Sequence, residues 1–320
     1  MNQCVIEDIP ALDYQAPLHV AAVAALEAYS GGSVDLAYLS GVSGEAWRFL
    51  CSSPEPDVDA PFAETAATLL QGLDALGIDH CHRREMTREA AVALIHHEID
   101  AGRPVLAVGT EGWGDWGIVA GYVGDEELLC RNAVARTGEY QTVNSAELAS
   151  RGPASCETVT LGARSAPPPR RELIAGALAE AVLWFASVRR AGLLTGRAAY
   201  EQWIAVFANM DLEPGYPATL GILTWARSKT LAADFVQQVA HSSGSAHLAA
   251  AAEQYDIVSR NWDALRGLFG ANQEHNLRHP ARRREGANIL RDALTAETKA
   301  IQRIREALSA AAGPPAGWAG

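Results

Sequence analysis

Pro104-Val-Leu-Ala-Val-Gly109 and Trp116-Gly-Ile-Val-Ala-Gly-Tyr122 are apolar runs of strand length, and Gly124-Asp125 then leads into Glu127-Leu-Leu-Cys-Arg131. Short apolar runs bounded by Gly and Pro read as strands, and a Gly-Asp turn folds one arm back on the other as a hairpin. Tyr140 to Val143 and Cys156 to Leu161 add two more strands, and Ile78 to Arg83 a short one. Upstream, Pro17 through Tyr29 reads as a helix with proline in its first turn and Leu18, Val23 and Leu26 inward. Ser33 is read as the cap of a short helix, Val34 to Leu39, ending at Gly41. Pro61 opens an alanine-rich helix to about Leu76, and Thr87 caps another that stops at Gly102. Helices first, then a mostly antiparallel sheet, make an α+β arrangement.

Outward from this block, Arg164-Ser-Ala-Pro-Pro-Pro-Arg-Arg171 is the clearest punctuation. Three consecutive prolines continue neither a helix nor a central strand, so the stretch reads as a linker. Beyond it the segments 172–194, 197–210, 217–240, 245–270 and 283–310 all read as helices. In the fourth, Leu248, Ala252, Tyr255, Trp262 and Leu265 fall close to one stripe at helical spacing. The expected organisation is an α+β domain over 10–163, a Pro-rich linker over 164–171, an all-α domain over 172–310 and a flexible tail over 311–320.

A chain of 320 residues exceeds what one hydrophobic core usually organises. Its net charge of -12 disfavours a nucleic-acid or anionic-membrane partner, since either needs a cationic surface. The first residues lack a basic stretch followed by an apolar one, and no apolar run reaches the roughly 18 residues of a membrane span. The five cysteines, 4, 51, 81, 130 and 156, are widely spaced and contain no CxxC pair, which fits reduced thiols in a cytoplasm better than disulfides or a zinc knuckle. No P-loop occurs, and no cofactor is predicted.

Leu36-Ala-Tyr-Leu-Ser-Gly-Val-Ser-Gly-Glu-Ala-Trp-Arg-Phe49, Gly102-Arg-Pro-Val-Leu-Ala-Val-Gly109 and Trp116-Gly-Ile-Val-Ala-Gly-Tyr122 carry a resemblance. Together with the opening helix and the Leu128-Leu129 strand, they resemble the papain-like domain of the butirosin-biosynthesis acyltransferase N-terminal family, related to bacteriocin-processing cysteine peptidases. The resemblance spans about residues 10 to 163 and implies a papain-like fold, with a place in bacterial specialised metabolism. It also implies a cysteine at the start of the first helix and a histidine at the start of the strand ending in Gly-Tyr. This chain has Ala16-Pro17-Leu18-His19 at the first and Asp115-Trp116-Gly117 at the second. Asn132 lies near where the orienting residue would sit. Without thiol and imidazole, cysteine-peptidase and acyl-cysteine chemistry are not expected.

Several residues remain as candidates beside duller readings. His19 is a general base or polar contact, or else a solvent-facing helix residue. Ser43, Gly44, Glu45 and Trp47 form a pocket rim of exposed N–H groups and an apolar wall, or else a helix stop with a packed tryptophan. Glu111-Gly-Trp113-Gly-Asp115-Trp116 presents two indoles and two carboxylates for a planar or cationic ligand, or else caps the core. Tyr14 and Asn132 complete the ligand set. His80 and His82 share a strand face and could meet one metal ion, although two ligands do not make a site. The basic run His275 to Arg284 reads as a solvated helix start.

The leading expectation is a catalytically degenerate papain-fold protein that binds a small molecule or peptide between the first helix and the sheet. The helical half would cover that groove or form a homodimer interface. One alternative is a non-cysteine acyl or amide transferase, or a cyclase, working through His19, Glu45, Glu111 and Asp115 in that groove. The other is a metal-binding sensor through His80 and His82.

Overall fold

The computed structural model describes residues 3–13, 16–53, 60–110, 115–132, 139–148, 156–190, 192–212, 214–270 and 273–311. The protein is mixed α+β. By its internal contacts it divides into one unit of residues 1–39 and 65–169 and a second of residues 40–64 and 170–320.

The first unit is built on an antiparallel sheet. Its strands are β1 (Gln3–Val5), β3 (Ile78–Met86), β4 (Val105–Val108), β5 (Trp116–Val123), β6 (Glu127–Arg131), β7 (Gln141–Asn144) and β8 (Cys156–Arg164). The order is β3-β8-β4-β5-β6-β7, and β1 pairs with β5 beyond the end of β4. β4 and β5 are buried along almost their whole length, as their unbroken apolar runs require. β5 carries a register shift against β6 between Val119 and Gly121.

α1 (Leu18–Tyr29) packs on β5 and on α3 (Thr65–Ala75), while α4 (Arg88–Asp100) packs on β5 and β8. Pro17 stands at the N-cap of α1, where its missing N–H costs nothing. Thr87 caps α4 by accepting from the Ala90 N–H at 3.2 Å, as its sequence position predicts.

The second unit holds α5 (Arg170–Ala186), α6 (Gly196–Ala208), α7 (Gly215–Ser243), α8 (Ala246–Phe269) and α9 (Pro280–Ala311). A small sheet, β2 (Leu50–Cys51), β10 (Leu193–Thr195) and β9 (Arg189–Arg190), ties residues 40–64 to it. The core is aromatic. Phe49 lies 4.6 Å from Tyr200, 5.2 Å from Trp262, 5.7 Å from Trp225 and 6.2 Å from Trp203 between ring centroids.

Several expectations need correction. The short helix is α2 (Leu36–Val42), capped by Asp35, which accepts from the Tyr38 N–H at 2.8 Å, and not by Ser33. Gly41 does not stop it but lies within it, and Phe235 occupies the space a side chain there would need. The helix expected over 172–194 ends at Ala186, where the β9–β10 hairpin takes over. In α8 it is Ala251, not Ala252, that joins the buried stripe. Segment 40–64, read with the α+β block, has its contacts in the helical unit. Most of the expected tail, 312–320, lies outside the described residues.

Candidate functional site

In the first unit, the three positions where the family resemblance implies a triad are filled by packed groups. His19, on the first turn of α1, is 1% exposed. Trp116, opening β5, is also 1% exposed and donates its indole N–H to Thr65 Oγ1 at 3.2 Å. Asp115 just before it is buried and accepts from the Trp116 backbone N–H at 2.8 Å. Asn132 follows β6 and donates from Nδ2 to the Thr110 carbonyl at 2.6 Å, spanning the width of β5. Gly117 lets that bridge form, since a Cβ there would meet Thr110 Oγ1 and the Arg131 carbonyl. Tyr14, Glu111 and Trp113 lie outside the described residues.

His80 and His82 turn to different carboxylates. His82 Nε2 lies 2.6 Å from Glu157 Oε1, and its ring sits 6.1 Å from that of Trp116. His80 Nδ1 faces the Ile78 carbonyl at 3.1 Å and Asp74 at 3.7 Å. Among the described residues, no group of three or more His, Cys, Asp or Glu is placed to hold a metal ion.

Ser43, Gly44, Glu45 and Trp47 belong to the second unit and are wholly buried there. Gly44 holds a φ of +84° at the start of the 3-10 turn Glu45–Trp47, with the Glu180 carboxylate close against it. Glu45 Oε2 accepts from Arg48 Nε at 2.7 Å, and both side chains are 0% exposed. Ser228 donates to Glu45 Oε1 at 2.9 Å. Arg48 also donates to the carbonyls of Pro61 and Ala63, and its guanidinium lies 5.3 Å from the Trp225 ring centre. Trp47 gives its indole N–H to the Gly41 carbonyl at 3.1 Å.

A second buried ion pair lies in the same unit. Lys229 Nζ is 2.7 Å from Glu297 Oε1, Tyr200 donates to Glu297 Oε2 at 2.7 Å, and Trp262 donates to Tyr200 at 2.8 Å. Burial first, and the Glu297 charge second, hold the Tyr200 and Tyr255 phenols well above their ordinary range. Sequence reading missed this network. Its only signal was Lys229 itself, one of just two lysines, within an apolar helix.

The basic run divides by environment. Arg283 is 3% exposed and donates to the carbonyls of Val206, Asn209 and Leu212, which satisfies the C-terminal end of α6. Its neighbours Arg282 and Arg284 are exposed, as the sequence suggests.

No helix of the described chain is long and apolar enough to cross a membrane. No family model matches the chain, and no curated protein sequence matches it significantly.

Proposed function

We propose that this protein is a papain-like fold adapted for recognition, taking a small molecule or peptide without covalent chemistry. The observation that supports the reading is the filling of the triad positions. A tryptophan, buried and bonded to Thr65, stands where an imidazole would be needed. The helix start that would hold a thiol offers Pro17-Leu18-His19. A nucleophile needs a base within hydrogen-bond reach, and Asn132 alone supplies neither group. The hydroxyl of Ser43 is spent on the Ser40 carbonyl at 3.2 Å.

The test is turnover by the purified protein on peptide, ester and thioester substrates. No hydrolysis or acyl transfer above background is expected. Turnover abolished by His19→Ala or Ser43→Ala would end the recognition reading.

One observation favours a second reading, an acid–base enzyme. The His82–Glu157 contact at 2.6 Å is partly open to solvent, a geometry that general-base pairs share. That reading requires turnover lost in His82→Ala and kept in His80→Ala.

A further inference from the structure

The second unit contains a cleft of ≈ 840 Å³, within the range that takes a drug-sized ligand. The end of α5, the first turn of α6, and stretches of α8 and α9 line it. Its lining includes the buried apolar residues Phe185 and Ile301 and the 64% exposed Val188.

Some of the charges lining this cleft are paired and others are not. On other helix surfaces, Arg260 pairs with Asp256, Arg266 with Asp263 and Arg282 with Glu285, at 2.8 to 2.9 Å along one helix. Such pairs are the ordinary lacing of a solvated face. In the cleft, Glu306 is taken by Arg303 at 2.8 Å and His247 at 3.1 Å, and the Arg303 contact above all holds its carboxyl below the usual range. Arg197, Lys299 and Arg305 make no ion pair among the described residues, and neither do Glu201 and Glu253. All five are exposed. Arg197 is steadied by a bond to Thr298 Oγ1 at 3.4 Å and lies 5.9 Å from the Phe185 ring.

Exposed charges of both signs therefore line one cavity beside buried apolar groups. A purely anionic ligand would face Glu201 and Glu253, and a purely cationic one would face three basic groups. A zwitterion meets both sets. Gln254, Ser187 and Thr298 add amide and hydroxyl groups suited to a peptide backbone.

We propose that this cleft binds a short peptide carrying acidic and basic groups around an apolar centre. The inference rests on the recognition reading, gives it a ligand class, and puts the ligand in the helical unit instead of the groove expected between the first helix and the sheet. The test is binding of a hexapeptide library with one acidic, one basic and four apolar positions, resolved by mass spectrometry after capture on immobilised full-length protein. Bound peptides are expected to carry both charges, and an all-apolar library to be retained less. Lys299→Glu and Glu253→Lys should each weaken the best peptide by about tenfold. Both positions are exposed, so neither change threatens folding. If no peptide is retained, or if retained peptides ignore both reversals, the cleft assignment is wrong. If a peptide obeys the reversals but is returned cleaved, the cleft stands and the recognition reading falls.

Discussion

Glu45 and Arg48 have left water completely, and each charge on its own would be expensive to bury. What offsets that cost is the number of partners: Arg48 faces one carboxylate and two carbonyls, and Glu45 also accepts from Ser228. Removing one partner leaves the other charged and dry. Glu45→Ala is therefore expected to lower unfolding free energy by about 3–5 kcal/mol. Removing both charges, as in Glu45→Leu with Arg48→Met, should recover part of that loss. The recovery is partial because the Pro61 and Ala63 carbonyls lose their donor. Urea denaturation followed by tryptophan fluorescence reads both. A single variant within about 1 kcal/mol of the parent would mean that the pair contributes no more than a surface contact.

Between elements, the clearest titratable tie joins β5 to α4. Tyr122 stacks on His96 at 3.9 Å between ring centroids and donates to Asp100 Oδ1 at 2.6 Å. The bond to Asp100, then burial, pushes the Tyr122 phenol up to about 12. Its folded value lies above the unfolded one, so the neutral phenol is the form that folding favours. The stability it contributes is fully present below pH ~10 and is lost as pH climbs toward 12. Phenolate absorbance, read as the difference from Tyr122→Phe, should show late ionisation. Asp100→Asn should bring it back toward 10, and an unmoved titration would assign the shift to burial alone. Elements like these were legible where one local rule decides them. The apolar runs of β4 and β5, the Gly124 turn and the Thr87 cap could all be read from neighbouring residues. β1 could not, because Gln-Cys-Val is ordinary until β5 offers it an edge. The burial of Glu45 and Ser43 was equally hidden. Their glycine-rich surroundings suggest a loop, and only Arg48, Ser228 and Phe235, distant in sequence or unremarkable alone, make a dry position tolerable.

At the scale of the chain, the two units part at Pro169, within the stretch read as a linker, but residues 40–64 group with the second unit. Residues 40–64 supply the second unit with Phe49 and Trp47, the latter 5.6 Å from Phe235 and 5.8 Å from Tyr255 between ring centroids. Deleting one buried aromatic side chain typically costs about 3–5 kcal/mol, and a domain's whole stability is about 5–15 kcal/mol. Losing both rings together with the Glu45 carboxylate would consume most of that margin. The fragment 170–320 on its own is therefore expected to keep helical far-ultraviolet dichroism but lose near-ultraviolet aromatic dichroism and a cooperative melt. A synthetic peptide of residues 40–64 added in trans should restore both, because it returns the residues around which Tyr200, Trp225 and Trp262 pack. The peptide carrying Phe49→Ala should restore neither. If 170–320 alone melted cooperatively with full aromatic dichroism, the helical unit would be complete without the inserted segment. The burial of Phe49 would then be a consequence of the fold rather than a condition for it.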